Sequence, residues 1–541
     1  MRSSKHGRSF RHRRNFLSTA GMATLGGLVV PRAVHSFQSF EGGPPTTIPY
    51  TPFQASLPIP PTITPLTGST IKGKANPPFV PGSAFGGIAP EFANLASYAK
   101  YPLQLFRLNI APSVHEFIPG VKTPVWAYNG SVPGPTFKAR QGQPFVVRVT
   151  NNINVETSVH LHGGHNPSHA DGFPTFYTEI GKDRDYFYPN TVPKEGNVLD
   201  YSESVSTCWY HDHAMDLTGP NSYLGLAGFY LGYDDLETSL IGKVLPASAY
   251  DIPMIFCDKR FNSDGTLYYD MLDHDGALGD VFTVNGKVQP KMLVEKRKYR
   301  FRLCNGSNAR FYEFRLSDGS PFLQIGKDAW LLPFAMQRDS LMLAPGQRAD
   351  IIIDFANAPK TLYFENILEQ DDGRRPDGIA ERPVPLIRFD VGTKAIKGDV
   401  SIAPGTALRP HIPILESEIV QTRTFKLGRS NGAWSTNNLL YDPDRIDASI
   451  KLGTAERWIF ENSAGGWWHP MHIHLESHQV QSINGTPPPI WESFKSDTTI
   501  LQSNESIEIF MKFRTFKGPF VFHCHNMEHE DMRMMMNFAT V

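Results

Sequence analysis

Three stretches of this chain are variations on one pattern, and that repeat limits the folds open to it more than any other feature. PFVVRVTNNINVETSVHLHG at 144–163, KYRFRLCNGSNARFYEFRLSD at 298–318 and AERWIFENSAGGWWHPMHIHLE at 455–476 each read as an alternating strand, an Asn-containing turn and a second strand. A second element recurs as APGQRADIIIDF at 344–355 and SNESIEIFMKF at 503–513. Repeats this far apart are whole domains, so the chain divides into three related β-domains of roughly 130–160 residues each. We expect them at 96–240, 241–398 and 399–541, with 396–415 as a connection.

Composition agrees with an all-β reading. Gly 45 and Pro 44 are high and helical periodicity is scarce, which favours short strands joined by many turns. Lys+Arg 52 against Asp+Glu 53 leaves the chain near neutral, with no basic block beyond the N-terminus. Nothing invites nucleic acid or an anionic membrane surface. Residues 37–95, rich in Pro, Gly, Ser and Thr, read as an irregular arm over the first domain.

Residues 1–36 carry an address. Arg13–Arg14 is followed by Phe16, Leu17 and a mildly apolar run to Val30, which resembles a twin-arginine export signal. The run is too short and glycine-rich for a stable membrane anchor. The expected location is periplasmic or secreted, reached through the twin-arginine export machinery.

Four His-x-His pairs lie in the outer two domains: His160/His162, His211/His213, His472/His474 and His523/His525. Strand side chains alternate, so both rings of a pair share one face, roughly 6–7 Å apart at Cα. That spacing suits two metals of a cluster better than chelation of one. Eight imidazoles can hold three coppers, three on each member of a close pair and two on a third ion. The last pair encloses Cys524 in FVFHCHNMEHEDMRMMMN at 520–537, and strand parity turns Cys524 to the opposite face. A thiolate, an imidazole from His529 and the distant thioether of Met534 suit copper in a one-electron site. The missing imidazole is His469, which precedes His472 across Pro470 and can face away from the cluster. One tripeptide would then wire two metal sites together.

The middle copy carries Glu313 and Arg315 where the outer copies carry His160/His162 and His472/His474: the fold is kept without the ligands. In WYHDHAM (209–215), Asp212 stands where VFHCHNM (521–527) has Cys524, so the first domain offers histidines to a shared site and has no sulfur site of its own.

HLHG, WYHDH, HPMHIH and HCHNMEHEDMRM resemble the four copper motifs of the three-domain multicopper oxidases, in their usual order, over nearly all of residues 100–541. GDVFTVNGKVQP, the HAMDLT run and HCHN with a nearby Trp are similar to the bilirubin oxidase and spore-coat laccase branch. The resemblance implies three consecutive cupredoxin-like Greek-key β-barrel domains and four copper ions. His469, Cys524, His529 and Met534 would hold type 1 copper, and His160 and His472 type 2. His162, His211 and His523 would hold one type 3 copper, and His213, His474 and His525 the other. It further implies electron entry near His469, with its ring edge towards the surface, and proton carriage by Glu530 and Asp171. Dioxygen and a small-molecule or metal-ion reductant are the implied partners. Trp467 or Trp468 and Asn526 resemble the bilirubin oxidase pattern beside the substrate, a phenol or tetrapyrrole. The alternatives are oxidation of Cu(I) or Mn(II), which calls for an acidic or Met-rich patch that the sequence does not reveal, and a non-catalytic envelope or coat relative, which would lack ligands.

Other residues read as structural. His165, His169 and His478 fall outside the His-x-His register. Met532, Met535 and Met536 suit core packing. Cys208 reads as a core residue. Cys257 and Cys304 could pair in an oxidising compartment, with two buried thiols the preferred reading.

Overall fold

The computed structural model describes residues 48–66, 99–194 and 198–541; the Arg13–Arg14 segment and most of the arm lie outside them. Apart from the two-stranded ribbon of Pro193–Lys194 and Val198–Leu199, its strands sort into three pairs of sheets, and one hydrogen-bonding pattern is stamped three times. Gln104–His115 runs parallel to Phe145–Asn151 and antiparallel to Thr123–Tyr128. Asp251–Lys259 likewise runs parallel to Lys298–Asn305 and antiparallel to Val281–Val284. Ile419–Ser430 repeats this with Ala455–Asn462 and Ala433–Thr436. Parallel neighbours separated in sequence mark a Greek-key crossing, and the chain folds as three consecutive cupredoxin-like Greek-key β-barrels.

Each barrel closes on its own apolar interior. In the third, Trp458 is fully buried among Phe425, Phe460, Phe513, Phe522 and Phe538. Truncating such an aromatic costs about 3–5 kcal/mol. Cys524 points into this same interior, so the apolar packing that stabilises the barrel also keeps water from its sulfur.

Register brings the histidine pairs together. Val159–His162 lies beside Thr207–Asp212, with His160 opposite His211. His469–Ile473 lies beside Gly518–Cys524, with His472 opposite His523. In the middle barrel the corresponding strand Tyr312–Leu316 carries Glu313, which accepts a hydrogen bond from Ser340 at 2.5 Å, and Arg315, 3.5 Å from Glu365. An acid and a guanidinium with these partners are not a pair of imidazoles, and the strand offers no such ligand set.

The described part of the arm does not lie over the first domain alone. Phe53 and Leu57 donate to Gln289 and Lys291 of the middle barrel, and Ile63 and Leu66 to Thr136 and Leu105 of the first. Its path follows exposed strand edges, whose unpaired backbone groups it satisfies. The connection at 396–415 tucks Val400, Ile402 and Leu408 against Leu245, Ile325 and Ile352.

Cys257 and Cys304 are separate thiols, as is Cys208 in the first core. Burial pushes the Cys208 thiol up to about 12 and Cys257 to about 11. Met535 and Met536 are core residues, while the half-buried Met532 sulfur accepts from the Trp434 amide. Among the described residues no helix is long and apolar enough to cross a membrane.

Candidate metal centre

The eight paired histidines converge in one buried cluster between the first and third barrels. Burial, reinforced for most by neighbouring imidazoles, pushes pKa values down to about 3 for His211, to about 4 for His213, and well below the usual range for His160, His162, His472, His474 and His525. These rings are neutral, and a neutral imidazole is the form that ligates a metal.

Which nitrogen faces inward is set by what holds the other. His160 Nδ1 lies 2.5 Å from the Asp171 carbonyl oxygen and His472 Nδ1 2.8 Å from the Asp497 carbonyl oxygen. Their Nε2 atoms then face each other at 3.3 Å and could hold one ion. His213, His474 and His523 turn Nε2 towards a second point, with His523 Nε2 3.1 Å from His213 and 3.3 Å from His474. His162, His211 and His525 gather at a third. There, His162 Nδ1, His211 Nε2 and both His525 nitrogens are buried with no hydrogen-bond partner. One such orphan costs about 1–3 kcal/mol, and unpartnered nitrogens converging from three rings fit a metal ion. His162 is the exception in orientation: its Nε2 is taken by Asp497 at 3.1 Å and Thr498 at 3.2 Å, leaving Nδ1 inward.

This grouping corrects one expectation. His525, not His523, joins His162 and His211, and His523 joins His213 and His474. Parity puts both rings on one face but does not say which neighbour each reaches. After Cys524 the strand ends, the His525 amide donates to the Pro470 carbonyl oxygen at 2.6 Å, and the ring is carried to within 5.0 Å of His162.

Two carboxylates brace the cluster. Asp171 Oδ2 sits 2.6 Å from His474 Nδ1, while its carbonyl holds His160, so one residue spans two metal positions. Burial pushes its carboxyl well above the ordinary range. Glu530 lies 3.2 Å from His213 Nδ1 and 3.1 Å from His523 Nδ1, and it accepts from Thr218 at 2.7 Å. Burial would raise it, but His523 and His213 hold it well below the usual carboxylate range.

Behind the cluster, Cys524 Sγ is 3.5 Å from His469 Nδ1 and 3.6 Å from His529 Nδ1, with the two nitrogens 3.3 Å apart. That is a trigonal sulfur–nitrogen set of the kind that suits copper. Met534 is fully buried beside it, its carbonyl accepting from the Cys524 amide. Burial pushes the thiol pKa up, so metal binding must expel its proton.

The outer face differs from expectation. His469 is fully buried, its Nε2 without a partner and the Trp434 ring 5.1 Å away. His529 is buried to the same degree, its Nε2 3.2 Å from the Asp275 carbonyl oxygen. Asp275 lines a cavity of about 370 Å³ together with Asp270, Asp273, Asp371, Asp372 and three tyrosines. This acidic patch adjoins the site through Asp275 and is invisible in the sequence, because the two loops that build it are separated by about a hundred residues and meet only in the fold. Asn526 is buried too: its side chain caps the Met527–Asp531 helix and donates to the Asp275 carbonyl. Trp467 is half-buried, 5.5 Å from His529, whereas Trp468 turns aside onto Phe311. Trp434, unmarked in the sequence, covers His529 at 4.3 Å beneath Arg429. His478 is buried on Thr499, and His165 beside Glu476, both off the cluster.

Family models described as multicopper oxidase match residues 109–235 and 417–541. A laccase from Bacillus stratosphericus is 35% identical, over 78% of this chain and 91% of its own. Bilirubin oxidase from Albifimbria verrucaria is 33% identical over 81% and 76%. Among solved structures, a laccase from Pediococcus acidilactici superposes with a TM-score of 0.73 at 26% identity, covering 91% of this chain and 96% of that one.

Proposed function

The chain belongs to the multicopper oxidase family, in its laccase and bilirubin oxidase branch, and we propose that it takes electrons singly from a phenol or tetrapyrrole beside His529 and delivers them to dioxygen at the eight-histidine cluster. The observation that carries this is the back-to-back arrangement: Cys524 faces one nitrogen set while His523 and His525, its covalent neighbours, face two others. His469, Cys524, His529 and Met534 would hold type 1 copper, and His160 and His472 type 2. His162, His211 and His525 would hold one type 3 copper, and His213, His474 and His523 its partner. Four such coppers supply the four one-electron stores that conversion of dioxygen to two waters requires.

The chain's own residues do the rest. Cys524 and its flanking peptides give a covalent route a few bonds long. Trp434 and the third core keep water from the sulfur, which tunes the potential of the site. Asp171 and Glu530 hold protons and charge at the inner histidines. The tyrosine faces of the cavity suit a flat reductant, and the half-buried Trp467 lies beside His529.

The acidic lining of that cavity favours a second reading within the same class, a cationic reductant such as Cu(I) or Mn(II). Steady-state oxygen uptake by copper-loaded protein against phenols, bilirubin, Cu(I) and Mn(II) tests both. On the cationic reading, Asp273→Asn with Asp371→Asn raises KM for metal ions roughly tenfold through lost electrostatic focusing and leaves neutral phenols unchanged. An unchanged KM for metal ions would leave the phenol reading alone.

The protein acts outside the cytoplasm, exported through its Arg13–Arg14 signal. Changing both arginines to lysine is expected to strand active enzyme in the cytoplasmic fraction, and unimpaired export would refute that route.

A further inference from the structure

The middle barrel holds no ligand, yet one of its turns reaches the cluster. Ala344–Gln347 closes on itself, with the Gln347 amide donating to the Ala344 carbonyl at 3.0 Å, and leads into the strand Arg348–Asp354. At Gly346 the chain runs with φ +81°, and a Cβ there would lie 2.7 Å from the His525 ring. Only glycine combines that backbone with that approach. The next side chain, Gln347, donates to the Thr498 carbonyl at 2.9 Å.

Arg348 follows, fully buried. Its guanidinium donates to Asp497 through both terminal nitrogens, one at 2.8 Å. It also donates to the Gly346 carbonyl at 2.7 Å and to the Thr207 carbonyl of the first barrel at 3.3 Å. One side chain therefore ties all three barrels together. Asp328, also of the middle barrel, accepts from the Ser496 hydroxyl and the Asp497 amide. What Arg348 grips is the segment that holds two ligands: Asp497 Oδ1 on His162 Nε2, and the Asp497 carbonyl on His472 Nδ1.

We propose that the turn Ala344–Arg348 is the positioning wall of the three-metal cluster, Arg348 fixing His162 and His472 through Asp497 while Gly346 gives His525 its place. Arg348 touches no reacting atom; it is a positioning residue, and its fork geometry matters because a carboxylate gripped at two oxygens cannot rotate. This explains why a barrel without ligands is kept in register with two that have them. The inference rests on the copper reading of the cluster.

Arg348→Gln removes the grip, and Gly346→Ala pushes on His525 while leaving the buried ion pair intact. Copper per chain is followed during dialysis against a chelator, with the Cys524–copper absorption as an internal standard. Both variants are expected to keep the blue band and to lose cluster copper roughly 10–100-fold more readily than the parent, the usual effect of removing an outer partner of a ligand. Should Arg348→Gln not fold, Gly346→Ala decides. Retention of cluster copper at the parental rate, or loss of the blue band in step with it, would overturn the proposal. A parent protein that takes up copper only at the Cys524 site would instead refute the underlying assignment of the cluster.

Discussion

Replacing Cys524 with serine yields a colourless protein without oxidase activity that still carries its cluster copper. The sulfur is the thiolate donor beside His469 and His529, and a hydroxyl is a poor substitute for a thiolate in such a site. Intense colour and fast one-electron exchange both depend on that bond. The change removes no histidine and alters one buried atom. His523 and His525 point away from the serine, and their partners Glu530, His162 and His211 are untouched. Absorption, copper per chain and oxygen uptake check the three parts separately. Retained turnover with phenols would refute the route through Cys524, and loss of all copper would show that the two sites do not bind independently.

Asp171→Asn should reduce reoxidation by dioxygen about a hundredfold or more, the scale of a lost general acid or base, while reduction of the Cys524 site keeps its rate. Asparagine preserves the shape of the side chain and the carbonyl that steadies His160, but it cannot carry a proton. The two braces are not equivalent. Burial pushes Asp171 up, whereas Glu530 is held down by His523 and His213 against the same burial. Groups pushed apart in this way divide the work, one keeping a proton and the other a charge. Stopped-flow reduction and reoxidation distinguish the steps, and equal slowing of both would count against a proton role.

Much of the centre could be read from spacing because strand parity is a local property. Histidines two apart must share a face, and a cysteine between them must take the other, whatever the rest of the chain does. The same logic located His469, since a strand entered across Pro470 presents its first residue to the opposite side. Parity failed where the question was which neighbour a ring meets. His523 and His525 were exchanged because the rings that separate them, His213 on one side and His162 and His211 on the other, come from the first barrel, and the angle between barrels is not written in either strand. The burial of His469, expected to turn its ring edge to the surface, is likewise not legible in its strand, and His529 is buried with it. Both flank the sulfur, and the packing of Trp434 and the Asp275 loop covers them.

Alternation along a single strand was enough to give the repeated barrel, the middle copy without paired histidines and the candidate metal ligands. Tertiary structure alone decided the pairing of imidazoles, the acidic cavity beside His529 and the reach of Arg348 into the cluster. Those features arise where segments a hundred or more residues apart come into contact, and such contacts are fixed by how three apolar cores pack, which no local period encodes.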